Sequence, residues 1–203
     1  MAEQQRALEV KAALLSATAK ALTDADESQL RLDSICKTAK TTTMTVYYHF
    51  GSKDGLVEAA YLSLHDSLQE EDAVALELLA ESVSSPKDLV DTFHAVLTDP
   101  STSNERAKRR QLWFRIYAAA LTRPDFKADL AERSATYTRR HAASIAKLQE
   151  RGIIASELDA HQLAVLLATV TIGRSLNDVS SEPETDESWS GITTALIRYF
   201  TGP

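Results

Sequence analysis

The sequence predicts an all-α fold, and three observations carry that reading. Its 203 residues contain only six Gly and five Pro, too few for a β-sandwich or barrel, which turns every 8–12 residues or about that. Apolar side chains recur at three- and four-residue spacing through most of the chain, the period of a helix buried along one face. Apolar residues make up 44% and charged residues 25%, a globular balance that excludes a disordered chain.

The elements follow in order. Leu8, Leu15 and Leu22 recur every seven residues beside Val10, Leu14, Ala17 and Ala21, which gives one wide apolar stripe on a helix over about 5–22. Thr23-Asp24-Ala25-Asp26 ends it, and Ser28 is placed to cap a short second helix carrying Leu30, Leu32 and Ile35. Ala39-Lys40-Thr41-Thr42 reads as a turn, with Thr42 capping a very short third helix through Tyr48. Phe50-Gly51-Ser52 breaks the chain, and Ser52 caps a fourth helix from Lys53 to about Glu70. Ser85-Pro86, an N-cap followed by Pro at the first helical position, opens a fifth helix to about Leu97. After the loop 99–103 a sixth helix runs to about Leu121, and a long seventh starts at Thr122-Arg123-Pro124-Asp125 and ends at Gly152, a left-handed C-cap. Asp159 caps an eighth helix, residues 178–186 form a polar loop, and a ninth helix spans about 187–201. Three short helices therefore precede six longer ones, which divides the chain into an N-terminal unit over 1–55 and a helical body over 56–203.

Charge narrows the function of the front unit. The net charge of −7 argues against wholesale coating of nucleic acid, yet the charge is unevenly spread. Residues 1–56 hold seven Lys/Arg and seven Asp/Glu, so the body carries the whole excess of acid. The window 34–53 contains Lys37, Lys40 and Lys53 and no carboxylate, a pattern that points toward contact with phosphates. Three short helices with a tight turn before the third describe a helix-turn-helix, whose second member enters the major groove.

The residues Thr42-Thr-Met-Thr-Val-Tyr-Tyr-His-Phe-Gly-Ser-Lys-Asp-Gly-Leu-Val57 closely resemble the signature of the tetracycline-repressor-like (TetR/AcrR) transcription regulators. That signature is a short recognition helix ending in Tyr-x-His-Phe, followed by Gly/x-Ser-Lys-Glu/Asp-x-Leu. Leu14-Leu15-Ser16-Ala17 and Ile35-Cys36…Ala39 also fall at the family's spacings, so the resemblance is strong over about residues 10–60. It implies that Thr43, Met44, Tyr47 and Tyr48 lie at the groove of double-stranded DNA, with Thr42, Thr45, His49 and Lys53 near phosphates. Val46 and Phe50 then face inward. The chain departs from the family at Lys40, where Gly is usual in the turn, so the left-handed position is either shifted or strained. It departs again at Arg31-Leu32, where capping residues are usual, and at Asp33, whose carboxylate would repel phosphate or accept from a cytosine amine.

In the body, Phe93, Trp113, Phe114, Tyr117, Phe126 and Tyr137 lie on the middle helices. Trp113 and Tyr117 are four apart and share a face, as do Tyr137 and His141. Packed core accounts for each of them singly. As a set, Phe93, Trp113, Tyr117, Tyr137 and His141 are candidates to line a site for a small apolar or aromatic effector between helices. His94 is a second candidate polar group. The stripes Leu163/Leu166/Leu167/Val170 and Ile192/Leu196/Ile197/Phe200 fit two helices donated by each subunit to a four-helix homodimer interface.

Other features point to bland roles. Cys36 occupies a small buried position, and a lone Cys permits no intrachain disulfide, which fits a cytoplasmic setting. The basic run Arg106-Ala107-Lys108-Arg109-Arg110 is expected to meet acidic partners or solvent. The five His lack metal-ligand spacing, so no metal or cofactor is expected. No nucleophile elbow or Gly-rich phosphate loop is present, which speaks against an enzyme. The longest nearly apolar run, Leu163 to Gly173, is well short of the roughly 20 residues that cross a bilayer. The expectation is a homodimeric, ligand-responsive DNA-binding regulator, a repressor, against two alternatives: a helical interaction module that has lost DNA binding, and an enzyme.

Overall fold

The computed structural model describes residues 2–201, and among these there are nine α-helices and no strand. They are α1 (Ala2–Asp24), α2 (Leu32–Thr38), α3 (Thr43–Phe50), α4 (Lys53–Ser82), α5 (Pro86–Thr98), α6 (Ser103–Ala120), α7 (Pro124–Glu150), α8 (Ala160–Gly173) and α9 (Asp186–Thr201). Short 3₁₀ turns lie at Glu27–Gln29, Pro100–Thr102 and Arg174–Val179. By contact the chain divides into two compact units, residues up to 68 with 123–130, and residues 69–122 with 131–201. The division expected after residue 55 would cut α4 in its first turn.

Most caps behave as expected. Ser52 Oγ accepts from Gly55 N at 2.9 Å, Ser85 Oγ from Asp88 N at 3.1 Å and Asp159 from Gln162 N at 2.8 Å. Ser28 does not cap the second helix. Asp26 caps the 3₁₀ turn before it, accepting from Ser28 N at 2.9 Å, and α2 begins one turn later behind Arg31 with no side-chain cap. Thr42 holds the N-cap position of α3, but its hydroxyl pairs with that of Thr45 at 3.1 Å rather than with a backbone N–H. α4 runs three turns beyond the expected end near Glu70. The acidic stretch Glu70-Glu71-Asp72 does not terminate it, because Arg140 pairs with Glu70 and Glu77 while Arg109 pairs with Glu71 and Asp72.

In the first unit the buried side chains include Leu14 and Leu22 of α1, Ile35 and Cys36 of α2, Val46 of α3 and Leu56, Val57 and Tyr61 of α4. Tyr61 meets the ring of Phe126, centroids 6.2 Å apart. Arg123 joins Glu27 at 2.5 Å and lies 3.6 Å from Glu58. Gly55 shows why this segment tolerates no side chain there, since a Cβ would lie 2.2 Å from the Phe50 carbonyl oxygen.

In the second unit α5 packs along α9. Ala80, Val83, Leu89, Val90, Leu148, Ile153 and Ile197 form one buried cluster, and Ile145, Leu163 and Ala164 another. α7 ends in a Schellman motif with Gly152 at φ 69°, in which Ile153 N donates to Leu148 O at 2.9 Å. The polar segment 178–186 is tied at both ends. Arg110 makes a two-pronged pair with Asp178 at 2.9 and 3.0 Å, and Asp186 accepts from Ser103, Arg106 and Arg174. Between them the Asn177 side chain bonds both the N–H and the C=O of Glu184, at 2.9 and 3.0 Å. The basic run of α6 is thus spent on carboxylates, with Lys108 bonded to Glu105, in keeping with the expected acidic partners.

Burial pushes the Asp186 carboxyl up, and the hydrogen bonds from Ser103, Arg106 and Arg174 outweigh it, holding the group at about 2. Arg174 is pushed down by burial and by the Arg110 guanidinium. The two shifts are consistent because three guanidiniums share two carboxylates, so the acid gains while the most crowded cation loses.

Three stability predictions result. A carboxyl depressed in the folded state contributes stability above its unfolded value, and that contribution fades as pH falls from about 4 to about 2. Asp186→Asn should therefore cost about 2 kcal/mol at neutral pH, and the gap in urea midpoint from wild type should close below about pH 4; a gap constant down to pH 3 would sink the assignment. Lys40, at φ 53°, pays the left-handed penalty of an L-residue, so Lys40→Gly should stabilise by about 0.5–1 kcal/mol. Gly55→Ala should destabilise by at least about 2 kcal/mol; thermal melts that moved in the same direction for both variants would contradict this.

Candidate functional site

The turn between α2 and α3 is a complete Schellman motif. Lys40 N donates to Lys37 O at 3.2 Å and Thr41 N to Cys36 O at 2.9 Å, with Lys40 itself left-handed. Of the two outcomes open for Lys40, shift or strain, the chain adopts strain. α3 leaves this turn with Val46 fully buried and Phe50 half-buried under Lys11, whose Nζ lies 5.8 Å from the ring centroid. The opposite side is bare. Met44 is 80%, Tyr47 54% and Tyr48 82% exposed. Thr43, Thr45 and His49 are half-buried, Thr42 is exposed, and the His49 ring meets Tyr48 edge-on at 4.9 Å. Lys53 is half-buried and donates to Leu30 O at 3.0 Å, so its ammonium also fastens the segment before α2.

The second unit holds a cavity of about 200 Å³. Four of the five expected side chains line it: Phe93 from α5, Trp113 and Tyr117 from α6, and His141 from α7. Trp113 and Tyr117 stack, centroids 5.8 Å apart and planes 24° apart, as their four-residue spacing implied. Tyr137 is not among the lining residues and lies under the Arg140 guanidinium at 5.7 Å. Phe126 belongs to the first unit's core, Phe114 is exposed, and His94 is bonded to Ser190 at 2.8 Å. Sequence reasoning missed the polar end of the cavity, Gln69 and Asp72, because the helix that carries them was expected to stop there. Asp72 is paired with Arg109 at 2.8 Å. Burial pushes the His141 imidazole down, and its Nε2 is buried with no hydrogen-bond partner. The cavity thus combines stacked aromatic walls with one neutral, unpaired ring nitrogen.

Comparison with known proteins completes the assignment. The family model for bacterial regulatory proteins of the tetR family matches residues 14–60, and that for the C-terminal region of BetI-type transcriptional repressors matches 89–196, over half the chain. The chain belongs to the TetR family of transcriptional regulators. It is therefore a DNA-binding transcriptional regulator, in a family of regulators rather than enzymes. Solved structures share the fold: a protein from Rhodococcus sp. described as a TetR-family regulator is 22% identical, with 96% of this chain and 99% of that one covered and a TM-score of 0.67. A TetR-family regulator from Pectobacterium atrosepticum is 18% identical over 95% and 94% of the two chains, at a TM-score of 0.64. A protein from Saccharomonospora viridis described as a transcriptional regulator, in complex with choline, is 17% identical over 92% and 94%, at 0.65. No curated protein matches the chain.

In this TetR-family chain the helix-turn-helix is α2–turn–α3, and the bare side of α3 is its candidate reading face. The stripes on α8 and α9 divide by exposure. Leu166, Ile192 and Leu196 are 39%, 56% and 40% exposed, and Leu167, Val170 and Phe200 are half-buried, whereas Leu163 and Ile197, expected in the stripes, are packed in the core of the second unit. Val165 and Tyr199, 46% and 77% exposed, widen the open faces and were not anticipated. No helix is long and apolar enough to cross a membrane, and no group of three or more His, Cys, Asp or Glu gathers to hold a metal, both among the described residues.

The unpaired Nε2 of His141 makes a further prediction. A buried polar atom with no partner is a cost to the folded state, so His141→Leu should leave the ligand-free protein at least as stable as wild type, by about 0–2 kcal/mol. A loss of more than about 1 kcal/mol in chemical denaturation would mean that the nitrogen has a partner after all.

Proposed function

We propose that the chain is a cytoplasmic homodimeric repressor that releases a palindromic operator when a small apolar or aromatic molecule enters the cavity. The observation that carries the reading is the face of α3, which leaves Met44, Tyr47 and Tyr48 open to solvent on a helix of groove-filling size within a carboxylate-free stretch. Thr43, Met44, Tyr47 and Tyr48 meet the groove, and Thr42, Thr45, His49 and Lys53 lie at phosphates. The left-handed Lys40 keeps the turn intact, which favours this reading over a module that has lost its DNA.

Two copies joined through the exposed parts of α8 and α9, with Leu166, Ile192 and Leu196 at the seam and Leu163, Leu167, Val170 and Phe200 behind it, would bury an apolar surface unusual on a monomer. A two-fold pair of recognition helices reads half-sites about one DNA turn apart. The effector acts only through its difference in affinity for the operator-competent state and the others. Phe93, Trp113 and Tyr117 supply its apolar contacts and His141 its polar one, with Tyr137 beside the site. Choline occupies the Saccharomonospora viridis structure. Here the cavity's carboxylate, Asp72, is already paired with Arg109, which favours an uncharged ligand over a cation.

The test is an anisotropy titration of the full chain against duplexes from upstream of its own gene, over a range of salt. Sequence-selective binding is expected, with Leu196→Glu giving monomers by sedimentation and operator affinity lowered by more than about tenfold. A ligand that releases DNA should change Trp113 emission. Equal affinity for upstream and random duplexes would remove operator recognition, and a Leu196→Glu protein that stayed dimeric would remove α9 from the interface.

A further inference from the structure

We propose that the chain selects its operator by apolar contact with thymine 5-methyl groups, made by Thr43 and Met44, and not by paired hydrogen bonds to purine edges. The inference rests on α3 entering the major groove as set out above. The eight residues of α3, TMTVYYHF, include no Arg, Lys, Asn, Gln, Asp or Glu. Those are the side chains that read bases by forked or charge-assisted hydrogen bonds: Arg or Lys fork onto guanine, Asn or Gln onto adenine, and Asp or Glu accept from cytosine, whereas a Thr hydroxyl bonds donors and acceptors alike and discriminates little. Thymine alone offers the groove an apolar group.

The geometry sorts what remains. The N-terminal residues of a recognition helix are those that reach base edges, and on α3 these are Thr43, with its γ-methyl, and Met44, whose side chain is 80% exposed. The hydroxyls of Thr42 and Thr45 are turned on each other at 3.1 Å, which leaves them less available for reading bases. Val46 is fully buried. Tyr48 and His49 pack edge-on at 4.9 Å in the last turn, which puts Tyr48 at the far end of the groove face and His49 beside the phosphates there. Lys37 and Lys40, both exposed, supply cations for phosphates, which position the helix without reading sequence. Asp33 is exposed at the start of α2, the helix that crosses the backbone rather than entering the groove. A side chain as flexible and polarisable as Met adapts to a methyl at more than one depth, so Met44 can reach a thymine on either strand.

The experiment selects bound duplexes from a randomised pool with the full chain, then replaces each thymine of the selected duplex by deoxyuridine, which removes only the 5-methyl. Thymines should be enriched at symmetric positions in both half-sites. Uridine should weaken binding by about fourfold per buried methyl, or about fifteenfold for a symmetric pair, from about 0.8 kcal/mol per buried carbon at about 1.4 kcal/mol per decade. Thr43→Ser, which keeps the hydroxyl and drops the methyl, and Met44→Ala should each lose the thymine-over-uridine preference at their own position. Melting curves confirm that both variants are folded. Equal affinity for thymine and uridine duplexes at every position, or selection of guanines in place of thymines, would overturn the inference while leaving DNA recognition standing. A pool that yields no enriched sequence would overturn operator recognition itself, and this inference with it.

Discussion

Arginine–carboxylate pairing is the constraint on which the second unit depends. In a chain of 29 acidic residues against 22 basic ones, the helices of this unit place cations between their carboxylates where they pack. Arg109 and Arg110 of α6 reach Asp72 and Asp178, Arg140 of α7 reaches Glu70 and Glu77, and Arg106 and Arg174 close on Asp186. Such pairs add little where water reaches them, but leaving one partner unpaired where it does not is expensive. Their effect is therefore to fix which helix faces may meet. The cavity inherits this: Asp72 stands in its wall as a neutralised group, and the unsatisfied polar atom that remains there is an uncharged imidazole.

The first unit uses its cations differently. Its lysines at 37 and 40 are exposed, and the carboxylates nearest α3 in sequence, Asp33 and Asp54, lie outside the stretch that carries it. Arginine's planar fork suits half-buried pairs, Arg123 with Glu27 in the first unit among them, and the flexible, hydrated ammonium suits the open surface around α3. Charge that is structural in the body is thus left free on the face proposed to meet phosphates.

Most helices were legible because their ends are written in local chemistry. Ser52, Ser85 and Asp159 cap where a short polar side chain can reach back to a free N–H, and Gly152 ends α7 where only a residue tolerant of positive φ closes the motif. The misses have two causes: partners distant in sequence, and near neighbours that compete for the same side chain or turn. Glu70-Glu71-Asp72 looks like a helix end until Arg109 and Arg140 arrive from α6 and α7. Tyr137 shares a helical face with His141, yet the Arg140 guanidinium over its ring places it away from the cavity lining. Ser28 could cap by itself, but Asp26 reaches the same turn first. On α8 and α9 the spacing of apolar residues marked the stripes, while the split between core and open face depended on α7, which buries Leu163 beside Ile145.

The Asn177 side chain, by bonding both backbone groups of Glu184, closes the loop between them at its neck. What happens inside such a closed loop is insulated from the helices on either side, and lengthening a loop costs only a slowly growing entropy. Residues 178–183 nevertheless include Asp178, which Arg110 holds, so only the stretch beyond it, around Ser181 and Glu182, is free to vary. That makes the tip a practical point for an internal tag or fluorophore, outside the residues that form α3 and those that line the cavity.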